Sequence, residues 1–223
     1  AYITSSNDRY PIFLIEHDDF KKIYQPCNPD KGYRFRYVGK RPKDYINGLS
    51  QLHKIAEEDK ARQEKNWLNE EEGKKHTYKK LESVIIASGE RDAYNVAAYG
   101  YNVIWLNSET AKLPEKKFKE IKTLVDEIYN LPDIDETGIR QGNKLALQYI
   151  EIKTIWLPKY LQNFNDNRGK PRKDFRDFVE LYPKYETFNN LYKSAHALKF
   201  WDEIKTEKGV KYYYNPEQAF AFL

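Results

Sequence analysis

Three short stretches of this sequence carry acidic residues at positions that follow predicted strands. They are Ser88-Gly-Glu-Arg-Asp-Ala93, Asp133-Ile-Asp-Glu-Thr-Gly138 and Lys173-Asp-Phe-Arg-Asp-Phe178. Asp133 and Asp135 are two residues apart, so in an extended or turning backbone both carboxylates point to the same side. Clustered carboxylates without Cys or His favour Mg²⁺ or Mn²⁺, because without a cation they repel one another. Helix capping by Asp is the alternative for each stretch alone, and the convergence of all three favours a metal site.

The elements that must position these stretches alternate between strand and helix from Leu81 onward. Strands are predicted at residues 83–87, 102–106, just before Asp133 and 153–157, and helices at 92–99, 115–129 and 137–149. This order predicts a compact α/β domain with a parallel four-stranded sheet and flanking helices. Ligands of such sheets bind beyond the carboxyl ends of the strands. All three acidic stretches are therefore expected at one edge of one sheet.

The N-terminal part of the chain predicts a small, basic, β-containing lobe. Six basic residues lie in a stretch without an acidic residue, interleaved with Tyr33, Phe35 and Tyr37: Lys31, Arg34, Arg36, Lys40, Arg41 and Lys43. A second basic run consists of Arg168, Lys170, Arg172 and Lys173. Cations alternating with aromatic rings offer charge to phosphates and stacking faces to unpaired bases. The alternative is an amphipathic hairpin whose rings form a core and whose cations are only solvated.

Composition excludes several classes of protein. The 223 residues are 40% hydrophobic and 32% charged, with a formal net charge of +4 that does not by itself indicate a polyanionic partner. No apolar run is long enough to span a membrane, and the single cysteine, Cys27, excludes an internal disulfide or a Cys-rich zinc site within these residues. We expect a cytoplasmic protein without a membrane partner. The absence of Met and the apolar C-terminus suggest a piece of a longer protein.

The order of the acidic motifs resembles the Toprim domain, the metal-binding catalytic unit of bacterial-type primases, topoisomerases and some nucleases. The resemblance covers about residues 81–182. Asp133-Ile-Asp-Glu-Thr-Gly138 resembles the family's Asp-x-Asp-x-x-Gly motif, and Lys173-Asp-Phe-Arg-Asp177 resembles a Lys-Asp-x-x-Asp stretch of phage-type primase-helicases. One departure is that Ser88 stands where the family places a Glu before the Gly of the first turn. Either Glu90 replaces that acid, or the acid/base function is weakened or lost.

The resemblance implies a set of site residues. Glu90, Asp133 and Asp135 are expected to be catalytic, and Asp133, Asp135 and Asp177 are expected to hold Mg²⁺ or Mn²⁺. Phosphates of nucleotide or template are expected to contact Arg91 and the basic runs: Lys31, Arg34, Arg36, Lys40, Arg41, Arg168, Lys170, Arg172 and Lys173. Supporting roles are expected for Asp92, Asp174, Gly89 and Gly138.

The function implied is that of a DNA primase core from a phage or a mobile element, which makes RNA primers from ribonucleoside triphosphates on single-stranded DNA in a bacterial or phage-infected cell. A fused or associated helicase is an expected partner. The alternatives are a non-catalytic Toprim-like module that binds nucleic acid, and a Toprim nuclease. The expected organisation is a basic lobe with a charged helical connector over residues 1–80, a Toprim-like domain over 81–182, and a helical extension or the start of a further module over 183–223.

Overall fold

The computed structural model describes residues 2–5, 7, 9–17, 19–68, 76–108, 111–198, 201–206 and 208–214. The chain divides into two compact units, Ala1–Tyr45 and Ile46–Leu223. None of the helices in these described ranges is long and apolar enough to cross a membrane.

The first unit is an antiparallel sheet. Its strands, in spatial order, are β1 (Tyr2–Ile3), β2 (Phe13–Glu16), β3 (Phe20–Tyr24) and β4 (Phe35–Gly39), with a short 3₁₀ helix at Lys31–Tyr33. Ile15 and Phe20 are buried, whereas all five residues of the edge strand β4 are exposed. The structure therefore confirms the predicted small β-containing lobe.

The second unit is built on a five-stranded sheet. Its strands are β5 (Leu81–Ala87), β6 (Val103–Trp105), β7 (Val125–Leu131), β8 (Lys153–Thr154) and β9 (His196–Ala197), in the order β6-β5-β7-β8-β9. The first four are parallel and β9 is antiparallel to β8. This arrangement confirms the predicted parallel sheet and adds one antiparallel edge strand.

In the described part of this unit, six helices and a hairpin surround the sheet. They are α1 (Leu49–Trp67), α2 (Glu90–Ala98), α3 (Glu115–Leu124), α4 (Glu136–Gln148), α5 (Phe175–Leu181), α6 (Tyr185–Ser194) and the antiparallel pair β10 (Trp201–Thr206) and β11 (Gly209–Tyr214). A 3₁₀ helix spans Lys159–Asn163. The chain's alternation of strand and helix is what places helices on both sides of the sheet.

Two apolar cores cover the two faces of the sheet. On one face of the sheet, Ile86 belongs to a core with Leu52 of α1 and Phe118 of α3. Ile85, one residue earlier, belongs to the opposite core with Val96 of α2 and Phe175 of α5. Both faces of β5 are buried because consecutive strand residues point to opposite sides. The acidic residues that follow the strands are therefore fixed by two closely packed layers.

The predicted helix over residues 115–129 is wrong in its second part. Helix α3 ends at Leu124, and Val125 begins strand β7, where it pairs with Leu81 while Ile128 pairs with Val84. The apolar residues of this segment satisfy helical spacing, but burial against β5 favours the strand. Tertiary pairing overrides local periodicity here.

The second unit extends beyond residues 81–182 at both ends. Leu49 and Leu52 of α1 belong to the core shared with Ile86. At the other end, Phe188 and Tyr192 of α6 belong to the core of Phe175. The segments expected to be a connector and an extension thus begin with residues that are buried within this unit.

Candidate active site

The acidic stretches meet at the carboxyl end of the parallel strands. We call the following set the acidic cluster: Asp92 in α2, Asp133 and Asp135 after β7, and Asp174 and Asp177 at the start of α5. The backbone N–H of Ile134 donates to the carbonyl of Lys173 at 2.9 Å, which joins the second stretch to the third. Four of the five carboxylates are buried, and Asp135 is half-buried. Such a concentration of negative charge needs cations or hydrogen bonds to be stable.

Lys173 places one ammonium group between two of these carboxylates. Its Nζ lies 3.1 Å from Asp133 Oδ2 and is hydrogen-bonded to Asp135 Oδ2. Burial opposes ionisation of Asp135, but the bond from Lys173 and backbone amides outweigh it and lower the pKa of that carboxyl. Burial likewise opposes the charge on Lys173, and the two carboxylates still raise the pKa of its ammonium. Asp133 and Asp135 are thus close enough to share a single cation.

The start of α4 holds Asp135 in place. Its Oδ1 caps the helix by accepting a hydrogen bond from the backbone N–H of Gly138 at 2.9 Å. Gly138 is buried against the preceding loop, and a Cβ there would lie 2.3 Å from the carbonyl oxygen of Asp133. The glycine therefore permits the close approach that brings Asp133 and Asp135 together.

Asp174 and Asp177 form a capping box on α5. Asp174 Oδ1 accepts a hydrogen bond from the N–H of Asp177 at 2.8 Å, and Asp177 Oδ2 accepts one from the N–H of Lys173 at 2.8 Å. Asp177 Oδ1 lies 3.8 Å from Arg172. The structure therefore places the predicted metal ligand Asp177 in the acidic cluster with its carboxylate engaged as a helix cap.

Asp92 is a buried carboxyl of the acidic cluster that α2 carries. Its Oδ1 accepts a hydrogen bond from the N–H of Arg176 at 3.0 Å, which ties α2 to α5. Burial, together with the negative charges of Asp174 and Asp133, raises the pKa of Asp92 to about 8. Burial also raises the pKa of Asp174. Because the pKa of Asp92 lies so far above its ordinary value, this group is largely protonated at neutral pH in the metal-free protein.

The free energy of unfolding should consequently fall as the pH rises, because Asp92 titrates. Its ordinary pKa is 3.8 and its folded pKa is about 8, so across that window the folded state retains a proton that the unfolded chain has released. Asp92→Asn keeps an acceptor for Arg176 and removes the titration. In metal-free buffer, the melting temperature of the variant relative to wild type should increase from about pH 4 to about pH 8 and then level off. Parallel melting curves across this range would contradict the assignment.

Arginine side chains border the acidic cluster. Arg91 Nη2 lies 3.4 Å from Asp174 Oδ2. Arg91 and Arg176 line an open cleft of about 400 Å³ together with Tyr94, Asn95, Val179 and Glu180. The sequence analysis did not single out Arg176, although its position between Asp174 and Asp177 offered that signal. Arg176 also pairs with Glu180 at 2.7 Å, so each guanidinium group has an acidic partner and keeps further N–H donors that suit a phosphate.

The second basic run is held by local acids. Arg172 is buried, donates to Glu180 at 2.7 Å and also bonds the carbonyl of Asn165. Arg168 pairs with Asp166 at 2.6 Å, and the N–H of Lys170 donates to the same carboxylate at 3.0 Å. Lys173 lies between Asp133 and Asp135 and is partly exposed, whereas the side chain of Arg172 is only 10% exposed. In the structure, the four predicted phosphate-binding cations therefore have different local partners.

The first basic run is displayed on an exposed strand. Phe35 is 42% exposed and Tyr37 is 37% exposed, and one side of each ring packs on β3, where Phe35 stacks on Tyr24 at 4.8 Å and Tyr37 lies 6.0 Å from Phe20. Arg36 lies 4.8 Å from the Tyr33 ring and Arg41 lies 4.5 Å from the Tyr37 ring. Arg34 donates to the carbonyl of Asn28, and Lys40 is exposed, whereas the side chain of Lys31 lies outside the described residues. Rings and cations therefore alternate on an accessible surface.

The turn after β5 carries Ser88 where the Toprim motif that this stretch resembles has a Glu. The Oγ of Ser88 donates to the carbonyl of Leu131 at 3.1 Å and so links the ends of β5 and β7. Gly89 caps α2 in extended conformation, and Glu90 is the half-buried first residue of that helix. The side chain that follows β5 directly is thus a hydroxyl, and Glu90 is displaced to the helix start.

No family model matches this chain, and no curated protein matches it either. Solved structures do match. A crystal structure of the Aquifex aeolicus primase with its zinc-binding and RNA polymerase domains has a TM-score of 0.55 and 14% identity, covering 88% of this chain and 44% of the solved one. A DNA primase domain from Pseudomonas aeruginosa has a TM-score of 0.52 and 16% identity, with coverages of 88% and 57%.

A third match is a DnaG primase catalytic domain bound to single-stranded DNA, with a TM-score of 0.51 and 14% identity over 84% of this chain and 52% of the solved one. The chain spans about half the length of the solved proteins it matches. At these identities the similarity concerns the fold. The chain has a primase-type fold, with a parallel-rich sheet flanked by helices and a small antiparallel N-terminal sheet.

Proposed function

We propose that this chain is the catalytic core of a DNA primase, which joins ribonucleotides on a single-stranded DNA template. The observation that carries the proposal is the pair Asp133 and Asp135 at the carboxyl end of the sheet, whose carboxylates both contact the ammonium group of Lys173. Ligands of parallel α/β sheets bind at this edge. The primase-type fold and the motif resemblance over residues 81–182 support the same assignment, with the second unit as a Toprim domain.

Mg²⁺ or Mn²⁺ fits Asp133 and Asp135. The donors are carboxylate oxygens, and the ammonium of Lys173 already occupies a cation position between them. Among the described residues, no three His, Cys, Asp or Glu side chains form a ready ligand set. Mg²⁺ does not need one, because it commonly binds through one or two carboxylates and keeps waters and substrate phosphates as further ligands. Asp133 and Asp135 would hold the metal, which would neutralise the charge that develops on a transferring phosphoryl group.

The remaining residues of the site would bind and orient the reactants. Arg91 and Arg176 line one cleft beside the acidic cluster and would hold phosphates by charge-assisted hydrogen bonds. Glu90 is the candidate acid/base, because it is the glutamate nearest in sequence to the end of β5. Asp177 would act mainly through the cap that positions Lys173 and Asp174.

The N-terminal strand would contact the template. Tyr33, Phe35 and Tyr37 are partly exposed, and aromatic rings can stack on unpaired bases whatever their sequence. Ribonucleoside triphosphates are the proposed substrates and a helicase the proposed partner. A phage or a mobile element is the proposed origin, and the cytoplasm of the bacterial host is the proposed location.

The test of this function is primer synthesis. The protein, in its full-length context, is incubated with single-stranded DNA, all four ribonucleoside triphosphates and Mg²⁺ or Mn²⁺, and incorporated label is measured. We expect short RNA products that depend on both template and metal. DNA degradation with metal and without triphosphates would instead support the nuclease alternative.

The second candidate is a nucleic-acid-binding module without catalysis. Ser88 favours it, because a hydroxyl bonded to the Leu131 carbonyl stands where the family has a carboxylate. This candidate predicts DNA binding with neither synthesis nor degradation. Absence of ribonucleotide incorporation under the conditions above would contradict the primase proposal and leave this one.

Single-stranded DNA binding should depend on the exposed basic strand. Replacing Arg36, Lys40 and Arg41 by Gln in one triple variant should weaken binding. It should also flatten the slope of log affinity against log salt by about 2, since each lost phosphate contact removes about 0.7 counterion on a single strand. Fluorescence anisotropy with a labelled oligonucleotide at several salt concentrations measures both quantities.

The matched control neutralises three exposed lysines elsewhere, namely Lys54, Lys116 and Lys193. This control removes the same net charge and should leave the slope nearly unchanged, because the charges are not on the proposed DNA path. Equal slopes for the two triple variants would show that β4 is only a solvated face.

A further inference from the structure

Lys173 provides the cation that both carboxylates of the proposed metal site contact in this structure. Its Nζ is hydrogen-bonded to Asp135 Oδ2 and lies 3.1 Å from Asp133 Oδ2. The other oxygen of Asp135 is already engaged, because Oδ1 accepts the hydrogen bond from the backbone N–H of Gly138 that caps α4. A metal ion shared by Asp133 and Asp135 therefore has to take the oxygen of Asp135 that Lys173 holds.

The ammonium group and a divalent metal ion exclude one another at this oxygen. Both are positively charged, and like charges at such short range repel one another strongly. The side chain of Asp133 is 11% exposed and that of Asp135 is 34% exposed, so solvent and salt screen this repulsion less than they would at the surface. Occupancy of the pair by Lys173 and occupancy by a metal ion are therefore alternatives.

The ammonium of Lys173 can leave the pair without a change of fold. The backbone of this residue is fixed, since its N–H donates to Asp177 Oδ2 at 2.8 Å and its carbonyl accepts from the N–H of Ile134 at 2.9 Å. Its side chain is 39% exposed and ends in a compact charge on a flexible four-carbon stem. Rotation about side-chain bonds is enough to carry the ammonium into water. The exchange therefore needs the movement of a single side chain.

We propose that Lys173 is an internal competitor of the divalent metal, which binds to Asp133 and Asp135 only when the ammonium has moved into solvent. The inference rests on the metal site of the proposed function and adds its regulation, because Lys173 lowers the affinity of the site for metal. Removing the ammonium should therefore strengthen metal binding. A purely structural role of Lys173 predicts the opposite sign, since two carboxylates without a counter-charge would move apart.

The test is calorimetric titration of the intact protein with Mn²⁺. Lys173→Gln should bind Mn²⁺ about tenfold or more tightly than wild type, because no ammonium has to be displaced. Lys173→Arg keeps the positive charge and should bind no more tightly than wild type. Lys159→Gln is the matched control, since it removes the same charge from an exposed lysine of the 3₁₀ helix between β8 and α5. Its affinity should stay within about twofold of wild type, because exposed charges are screened by salt.

Acetylation of lysines in the wild type decides the proposal if Lys173→Gln does not fold. The protein is treated with an amine-reactive acetylating reagent with and without saturating Mg²⁺, and the modified fraction of each lysine is measured by mass spectrometry. Acetylation of Lys173 should increase severalfold with Mg²⁺, because the ion pair with two carboxylates no longer protects the amine. Acetylation of Lys159 should stay the same.

Three results would overturn the proposal: equal Mn²⁺ affinity of Lys173→Gln and Lys159→Gln, no Mn²⁺ binding by either wild type or Lys173→Gln, or unchanged acetylation of Lys173 in Mg²⁺. These measurements do not use primer synthesis. Tighter Mn²⁺ binding by Lys173→Gln in a protein that incorporates no ribonucleotides would therefore contradict the proposed function and support this inference. Primer synthesis by a wild type whose Mn²⁺ affinity equals that of Lys173→Gln would contradict the inference alone.

Discussion

Asp135→Asn is expected to lower ribonucleotide incorporation by about 10²-fold or more, the scale seen when one preorganised electrostatic contact is removed from an active site. The side-chain oxygen of Asn still caps α4 by accepting the bond from Gly138. What is lost is the negative charge that, with Asp133, holds a cation at this edge. The loss should therefore appear in catalysis, while the affinity for single-stranded DNA stays nearly unchanged, because this carboxylate repels phosphates.

Metal binding gives a second readout of the same pair. Mn²⁺ at about 100 times its dissociation constant should stabilise the wild type by about 2.7 kcal/mol, which for a chain of this size raises the melting temperature by about 5–10 °C. Asp133→Asn combined with Asp135→Asn should remove most of this increase.

The control is Asp126→Asn, because Asp126 is exposed on the same strand, β7. It removes one charge without touching the acidic cluster, so both the activity and the Mn²⁺ effect should persist. Equal activity in Asp126→Asn and Asp135→Asn, or equal Mn²⁺ shifts in the wild type and the double variant, would contradict the assignment of Asp133 and Asp135 as metal ligands.

Lys173 shows why the pair can exist without a metal. The sequence analysis assigned this residue to phosphate binding, from its place in a basic run. In the structure its ammonium neutralises Asp133 and Asp135, so repulsion between the two carboxylates is offset within the protein. On the proposed function, a divalent cation would compete with Lys173 for the same oxygens. The released ammonium would then be available to a phosphate, which unites the predicted and observed roles.

Strong local patterns explain what could be predicted from sequence. The run Val84-Ile85-Ile86 is apolar on both faces, as a central parallel strand requires, and the structure buries all three residues. The alternation of basic and aromatic residues around Phe35 correctly indicated a strand. The two-residue spacing of Asp133 and Asp135 indicated carboxylates on one side, and in the structure Lys173 contacts both.

Features that depend on the packed structure could not be predicted in the same way. The border between α3 and β7 at Leu124 and Val125 is set by pairing with β5, which no local period encodes. The engagement of Arg172 by Glu180 arises from the fold of α5 and the loop before it.

Gly138→Ala should destabilise the protein by about 3 kcal/mol, at the upper end of the cost of overpacking. Helix propensity alone predicts the opposite, since Ala is favoured over Gly by about 1 kcal/mol within a helix. In this structure the added Cβ would lie 2.3 Å from the carbonyl oxygen of Asp133 and 2.7 Å from its carbonyl carbon. Because these are backbone atoms, the first turn of α4 must move as a whole. For a chain of this size the melting temperature should fall by about 6–12 °C.

Gly89→Ala is the matched control, because it also replaces a glycine at the start of a helix that follows a parallel strand. Gly89 has an extended backbone with φ of −174°, and an added Cβ meets nothing within 4 Å. The weaker N-cap and the lower entropy of the unfolded chain oppose each other, so its stability should change by less than about 1 kcal/mol. A Gly138→Ala variant as stable as Gly89→Ala would mean that α4 does not approach Asp133 so closely. Since that approach is what brings the carboxylates of Asp133 and Asp135 to one cation, such a result would also remove the geometric support for the metal site.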